Sequence, residues 1–343
     1  MLNHLILVNY MQYTHILGID ISKKTIDVAL SQNKANDSIV SHKFTNNLKG
    51  YQALIAWLKK HKAPIEQILV CLENTGIYHR SLVSFLQSHQ AFIWVENATS
   101  IKWSNGVQRG KSDQIDAQRI CFYAFRNQDK ARQFSTKDES LQQIDDLSAL
   151  RERLIQARVA LLAPIKELRE TGLKKNATML EESSKQTLAS LEKEIRAIED
   201  KIKQIIQQQK ELENKYQIIR SVPGVGFVTA IHLMIYTHNF KRFDNAKQLA
   251  CYAGVAPFEY SSGSSIRGRT KVHPMANKTL KTSLHMCALS SIRNNVEMKE
   301  YYEKKVKQGK NKMSVINAIR NKILLKVFAC VRDGKMHEYK QVA

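Results

Sequence analysis

The chain has little cysteine, and what it has is not arranged to pair. Cys71, Cys121, Cys251, Cys287 and Cys330 are scattered, odd in number and without a C-x-x-C spacing. This argues against a disulfide framework and against a cysteine zinc site, and suits buried thiols in a reducing compartment. Long apolar runs are missing as well: no stretch of about 18 apolar residues occurs, so a membrane-spanning helix is not expected. The opening Leu2–Tyr13 lacks a basic n-region and an A-x-A cleavage site, so no signal peptide is expected, and Met11 is an alternative start. A cytoplasmic protein, on the nucleoid when active, is the resulting expectation. Acid is also scarce. Against 53 Lys and Arg stand 31 Asp and Glu, a formal charge of +22 over 343 residues. Such an excess implies a polyanionic partner, most simply DNA or RNA, bound through phosphate neutralisation. From Tyr260 to Ala343 there are 18 Lys/Arg against 5 Asp/Glu, which concentrates the expected footprint at the C-terminal end. With 43 % hydrophobic residues the chain folds, and its length allows two or three domains.

The few acidic residues stand where packing would not put them. Asp20 ends the apolar run His15-Ile-Leu-Gly-Ile-Asp20, and Thr25-Ile-Asp-Val-Ala-Leu30 follows as a second strand pattern. Glu73 ends Gln67-Ile-Leu-Val-Cys-Leu-Glu73, a buried-strand pattern. Asp113 and Asp116 lie three apart in Lys111-Ser-Asp-Gln-Ile-Asp-Ala117, which reads as a helix start. A carboxylate at the end of a central strand packs poorly and holds a divalent cation well, since Mg²⁺ wants oxygen ligands and shares its shell with phosphate. Two such ions can serve both oxygens of a phosphodiester displacement. Plainer roles exist for each residue alone. Asp20 could cap a turn between two strands, Glu73 could cap or pair with a helix from about Tyr78, and Asp113 could be a helix N-cap with Asp116 favoured by the dipole.

Three strand-like runs (His15–Ser22, Thr25–Gln32, Ser38–Phe44) precede a helical pattern over Asn47–His61 and the Glu73 strand. A helix over Tyr78–His89, a strand over Ala91–Val95 and a helix over Asp113–Arg126 complete the region. A meander followed by alternating strands and helices predicts an α/β sheet with helices on both faces, and this order resembles the RNase H-like fold in its RuvC-like form. From Leu147 the period changes to 3-4 spacing through Leu168, with Pro164 expected to kink or break the helix. After a polar break over Glu170–Lys185, a heptad runs through Leu188, Leu191, Ile195, Ile198, Ile202 and Ile205 to Leu212 and Tyr216, with Gln209 at a core position. Two such helices make an antiparallel coiled-coil arm, with self-association as the economical way to bury both seams. A plain amphipathic pair packed on its own domain is the alternative.

Ser221-Val-Pro-Gly-Val-Gly226 opens a third segment. A Pro-Gly-x-Gly turn between helices lets backbone approach a phosphate through Gly224 and Gly226, though a simple tight turn is close behind. Further on, Phe258-Glu-Tyr-Ser-Ser-Gly-Ser-Ser-Ile-Arg-Gly-Arg-Thr-Lys271 places four serines beside Arg267, Arg269 and Lys271. An exposed serine flanked by cations is what attack on a phosphodiester requires. A flexible Ser/Gly loop that merely touches the nucleic-acid backbone is the competing reading.

Taken together, Ile19-Asp-Ile-Ser-Lys23, Leu72-Glu-Asn-Thr-Gly76, Lys111-Ser-Asp-x-x-Asp-Ala117, Val222-Pro-Gly-Val-Gly226, Ala253-Gly-Val-Ala-Pro257 and Ser262-Gly263 with Arg267-Gly-Arg269 resemble the DEDD transposases of bacterial insertion sequences. The match is to the insertion-sequence-110/1111 type, which includes the Piv-like invertases, and it runs from about residue 14 to 330. The resemblance implies a RuvC-like metal-binding domain over 14–135, a coiled-coil arm over 140–216 and a mainly helical C-terminal transposase domain over 217–335. It implies Mg²⁺, or Mn²⁺ in its place, at Asp20, Glu73, Asp113 and Asp116, and Ser262 as nucleophile with Ser261 as the neighbouring candidate. It also implies donor and target DNA as substrates, a structured non-coding guide RNA (the bridge RNA), and a homo-oligomer, dimer or tetramer, in which the two halves of the site meet on nucleic acid. Guide pairing would carry the sequence specificity of a protein without a base-reading helix. Ser112 departs from the usual threonine, and Thr270-Lys-Val-His-Pro-Met-Ala-Asn277 departs from the commoner pattern after the arginines. The rival enzyme is a RuvC-like nuclease on branched DNA without a covalent intermediate, and the non-enzymatic rival is an architectural nucleic-acid-binding protein.

Overall fold

Side-chain alternation decides the architecture of the N-terminal half. The computed structural model describes residues 13–33, 38–104, 112–262, 266–272 and 275–338. Within it, β1 (His15–Ile21), β2 (Thr25–Gln32) and β3 (Val40–Thr45) form an antiparallel meander. β4 (Ile68–Glu73) and β5 (Phe92–Glu96) then add parallel to β1, giving one sheet of order β3-β2-β1-β4-β5. This is the strand order and direction expected of an RNase H-like sheet. Successive strand residues face opposite sides. Leu17, Ile19, Val28, Val70, Leu72 and Ile93 therefore enter one core, under α1 (Leu48–Lys60) and α2 (Arg80–Ser88). Ile16, Ala29, Leu69, Cys71 and Trp94 enter the other, under α3 (Ala98–Ser104) and α4 (Asp113–Arg126). Asp20, Asp27, Glu73 and Glu96 continue the second register, so the strand carboxylates fall on the α4 side of the sheet.

The chain divides into two compact units, Met1–Thr136 and Lys137–Ala343. The second opens with α5 (Glu139–Glu170) and α6 (Lys174–Gln207). Thr171, Gly172 and Leu173 join them, with Gly172 in the left-handed region (φ 84°) that glycine tolerates without strain. The ion pairs Arg151–Glu199 at 2.7 Å, Arg158–Glu192 at 2.9 Å and Arg169–Glu181 climb one helix as they descend the other, which fixes an antiparallel register. Two sequence expectations are corrected here. The polar break over Glu170–Lys185 is helical from Lys174 onward: Ala177 is buried while Lys174, Lys175 and Glu182 are exposed, so the charge marks a solvated face and not a loop. The heptad does not run unbroken to Tyr216. α6 ends at Gln207 and α7 (Lys210–Ser221) begins, with Gln209 in extended backbone and its amide donating to Ser140 Oγ at 2.5 Å. Pro164, expected to kink or break α5, lies inside a helix that continues to Glu170. Ala160 and Pro164 are both exposed, where solvent can replace the missing backbone bond.

The rest of the unit is α8 (Phe227–Tyr236), α9 (Ala246–Tyr252), a hairpin of β6 (Phe258–Ser262) and β7 (Ile266–Lys271), α10 (Lys278–Asn294), α11 (Val296–Lys307) and α12 (Lys312–Asp333). Asn245, Asn277, Asn295 and Asn311 cap α9 to α12 by accepting a backbone N–H of the first turn. The core joins α8, α10 and α12 to Leu141 and Ile144 of α5 and to Ile198, Ile202, Ile205 and Ile206 of α6. The inner part of the expected seam is thus buried within one chain. Further out on the helical pair, Val159 and Met179 are 51 % and 58 % exposed. All five cysteines are free thiols, and no helix among the described residues is long and apolar enough to cross a membrane.

Candidate active site

Neighbours perform the plainer roles of Asp20 and Asp113, and Glu73 caps no helix. Asp20 lies inside β1 directly opposite Asp27. The turn after β1 is closed by Ser22, whose amide donates to Thr25 O at 2.9 Å and whose hydroxyl accepts from the Thr25 amide at 3.1 Å. Glu73 ends β4, and α2 starts only at Arg80, without a side-chain cap. The N-cap of α4 is Ser112, which accepts from the Ile115 amide at 3.3 Å, so neither Asp113 nor Asp116, both in the first turn, is the cap.

Gly18 brings these groups together. A Cβ there would stand 2.3 Å from Cys121 N and 2.4 Å from Ala117 O, so α4 lies directly on β1 at a point only glycine allows. Cys121 Sγ reaches Ile16 O at 3.5 Å, and Gln118 Nε2 donates to Ser41 Oγ at 3.1 Å. Moving up β1 from Ile16 to Asp20 is therefore moving back along α4 from Cys121 towards Asp113. The electrostatics agree. Burial, then repulsion from Asp116, Asp113, Glu73 and Asp27, pushes the Asp20 carboxyl from 3.8 to about 6. Burial and Asp116 push Glu73 up as well. All four predicted carboxylates share one field on one face of the sheet.

Four further residues belong to this face and were missed in the sequence. Asp27, 5 % exposed, pairs with Lys43 at 3.2 Å, and the same ammonium lies 3.8 Å from Asp113. Arg119 donates to Asp116 at 2.7 Å. Glu96, level with Glu73 on β5, accepts from Tyr123 Oη at 3.3 Å and from the Asn97 amide at 2.7 Å. Asp27 had a signal: a carboxylate between Ile26 and Val28 is as poorly placed for packing as Asp20. Among the described residues no three His, Cys, Asp or Glu side chains stand close enough to hold a metal ion. Lys43 and Arg119 hold three of the carboxylates instead. The donor set, carboxylate oxygens throughout, nevertheless suits a hard divalent cation, and burial followed by mutual repulsion raises Asp20 and Glu73.

In the second unit, the stretch with a flexible-loop alternative is an antiparallel hairpin. Ser262 is the last residue of β6 and pairs with Ile266, Ser261 pairs with Arg267, and Tyr260 with Gly268, with an irregularity between Phe258 and Tyr260. Arg267, Arg269 and Lys271 lie on β7. Gly263, Ser264 and Ser265 are outside the described residues. Gly224, between α7 and α8, has φ 85°, and a Cβ on it would meet Ser291 Oγ at 2.0 Å, so this glycine is pressed against α10. Gly226 caps α8 with open space where a Cβ would be, and of the two it leaves room for a ligand.

A sheet of this order, with carboxylates at the ends of β1 and β4 and at the start of the helix laid over them, is consistent with the class of RNase H-like domains. Residues 17–170 match the transposase model of the DEDD type of IS110, and residues 216–303 match the model described as Transposase IS116/IS110/IS902 family. The chain belongs to the IS110 family of transposases. It is 27 % identical to the pilin gene-inverting protein of Moraxella bovis over 337 residues, covering 96 % of this chain and 100 % of that one. It is 25 % identical to the transposase for insertion sequence element IS1111A of Coxiella burnetii over 240 residues, 63 % of this chain and 65 % of that one. It is also 28 % identical to an insertion element IS110 protein of Streptomyces coelicolor over 157 residues, 46 % and 38 % of the two chains. By family the chain is thus an enzyme of DNA transposition or inversion.

Proposed function

We propose that this transposase cuts and rejoins DNA through a covalent phosphoserine at Ser262, with Asp20, Glu73, Asp113 and Asp116 as a divalent-cation site. The observation that carries the reading is the close approach of α4 to β1 at Gly18, which sets the four carboxylates on one side of the sheet, where burial and then repulsion from Asp116, Asp113, Glu73 and Asp27 raise Asp20. Mg²⁺, or Mn²⁺ in its place, would supply Lewis-acid stabilisation of a phosphodiester's non-bridging and leaving oxygens when held there. The chain's own residues do the rest. Ser262 Oγ forms a bond to phosphorus as its proton departs, and the P–O bond to the leaving deoxyribose oxygen breaks, that oxygen taking up a proton. The phosphodiester is retained as a serine ester, and a second deoxyribose hydroxyl reverses the step and frees Ser262. Arg267, Arg269 and Lys271 lie on the strand paired to Ser262, where negative charge on the phosphate grows. Gly226 offers backbone to the nucleic acid.

The protein acts on donor and target DNA as a homo-oligomer guided by a structured non-coding RNA, with an arm over 140–216 and a transposase domain over 217–335. The charge of +22 supports polyanionic partners of this kind. In a strand-transfer assay, Asp20→Asn and Asp113→Asn are expected to lose at least roughly 100-fold in rate while melting as cooperatively as wild type. Full strand transfer by a folded Asp20→Asn protein would remove the carboxylate site from the reaction.

A further inference from the structure

Arg320 is out of place by charge. It lies in the middle of α12, 6 % exposed, and no carboxylate pairs with it among the described residues. Its terminal nitrogens meet Asn317 Oδ1 at 3.5 Å and His285 Nδ1 at 2.5 Å. Its Nε is buried without a partner. A guanidinium does not shed its proton to escape burial, so an interior one wants negative charge beside it. None is supplied among the described residues, and burial pushes Arg320 down.

The surroundings are donors too. Because His285 accepts at Nδ1, the neutral ring carries its proton on Nε2, a further N–H to offer. Burial and the Arg320 charge both hold His285 in that neutral form. Lys281, one turn before His285 on α10, runs beside Gly254, where a Cβ would lie 3.5 Å from its Cδ. One turn before Arg320 on α12, Asn317 donates to Val255 O at 3.0 Å and so fastens the segment that leads into β6. The orphaned cation therefore sits a turn away from the anchor of the strand that ends at Ser262.

We propose that Arg320 and His285 form an anion subsite on the C-terminal unit that takes a phosphate oxygen of bound nucleic acid. This rests on the reading of the chain as a nucleic-acid enzyme but not on the serine chemistry. The test uses the full-length, metal-free protein in thermal melting, with inorganic phosphate against chloride at equal ionic strength, and in nucleic-acid binding over a salt series. Phosphate should raise the wild-type midpoint. Arg320→Met should lose that increment, whatever the loss of its bonds to Asn317 and His285 does to the midpoint in chloride. His285→Phe, at a half-buried position, should shrink the increment and decides the matter if Arg320→Met does not fold. With duplex DNA and structured RNA tested separately, Arg320→Met should lower the log–log salt slope by about one for whichever supplies the phosphate. Three results would overturn the proposal: no phosphate-specific increment in wild type, an increment that survives in both variants, or unchanged slopes on both nucleic acids. The last would mean an adventitious ion only. Wild-type binding in the same series keeps this separate from the function proposed above, because a wild type that binds neither nucleic acid would sink that reading as well.

Discussion

Asp20 shows what a half-buried carboxylate among other carboxylates costs a fold. Its carboxyl, raised from 3.8 to about 6, binds a proton more tightly in the folded protein than in the unfolded chain. Stability from this group is therefore fully present below its unfolded pKa of 3.8 and is lost as pH rises through about 6. Asn keeps the shape and removes the charge. Metal-free Asp20→Asn should be more stable than wild type near pH 7 by on the order of 1 kcal/mol, a figure discounted for solvent screening of a half-buried group. Near pH 4 the two should converge. Denaturant titrations at both pH values check this, and an Asn variant less stable near pH 7 would mean that the carboxylate makes a contact stronger than the repulsion. Lys43 and Arg119 soften that repulsion by lying against Asp27, Asp113 and Asp116. Neither cation was legible in the sequence, because a Lys on an outer strand and an Arg on a helix look like any solvated charge until register brings them to the carboxylates. Arg320 is the same case, since nothing local marks its burial.

At the scale of elements, what was legible followed from local rules that the tertiary fold respects. β1 and β4 announce themselves as apolar runs ending at or beside a carboxylate, β2 as an apolar run, and α4 as a helix start, though its cap is Ser112 and not Asp113. The elements misread are those whose composition contradicts their state. Lys174–Lys185 is polar enough to look like a loop, yet at the outer end of the α5–α6 pair only one face needs covering, and Ala177 lies buried there. The β6–β7 hairpin hides behind serine and glycine. The arm's own energetics are testable. Ile202 is 1 % exposed in the core shared by α5, α6 and α8. Ile202→Ala should cost about 3 kcal/mol by leaving a cavity. The loss should be the same at low and high protein concentration, because this part of the seam is buried within one chain. A deficit that shrinks as the protein is concentrated would place Ile202 in an intermolecular interface instead.

The whole molecule combines a small negative centre with a large positive excess. The acidic residues that matter sit on one face of the first unit, while the C-terminal quarter carries 18 of the 53 basic residues against 5 acidic ones. Long-range attraction of this kind gathers a polyanion without selecting among sequences. The central claim is that this molecule stores the cut strand on itself. It is tested most directly by incubating wild type with end-labelled substrate DNA and Mg²⁺, denaturing, and mapping the labelled peptide after proteolysis. The account predicts label bound to protein at Ser262, and none with Ser262→Ala or Asp20→Asn. Cut DNA released without any protein-bound label, or label mapped to Ser261, would contradict it.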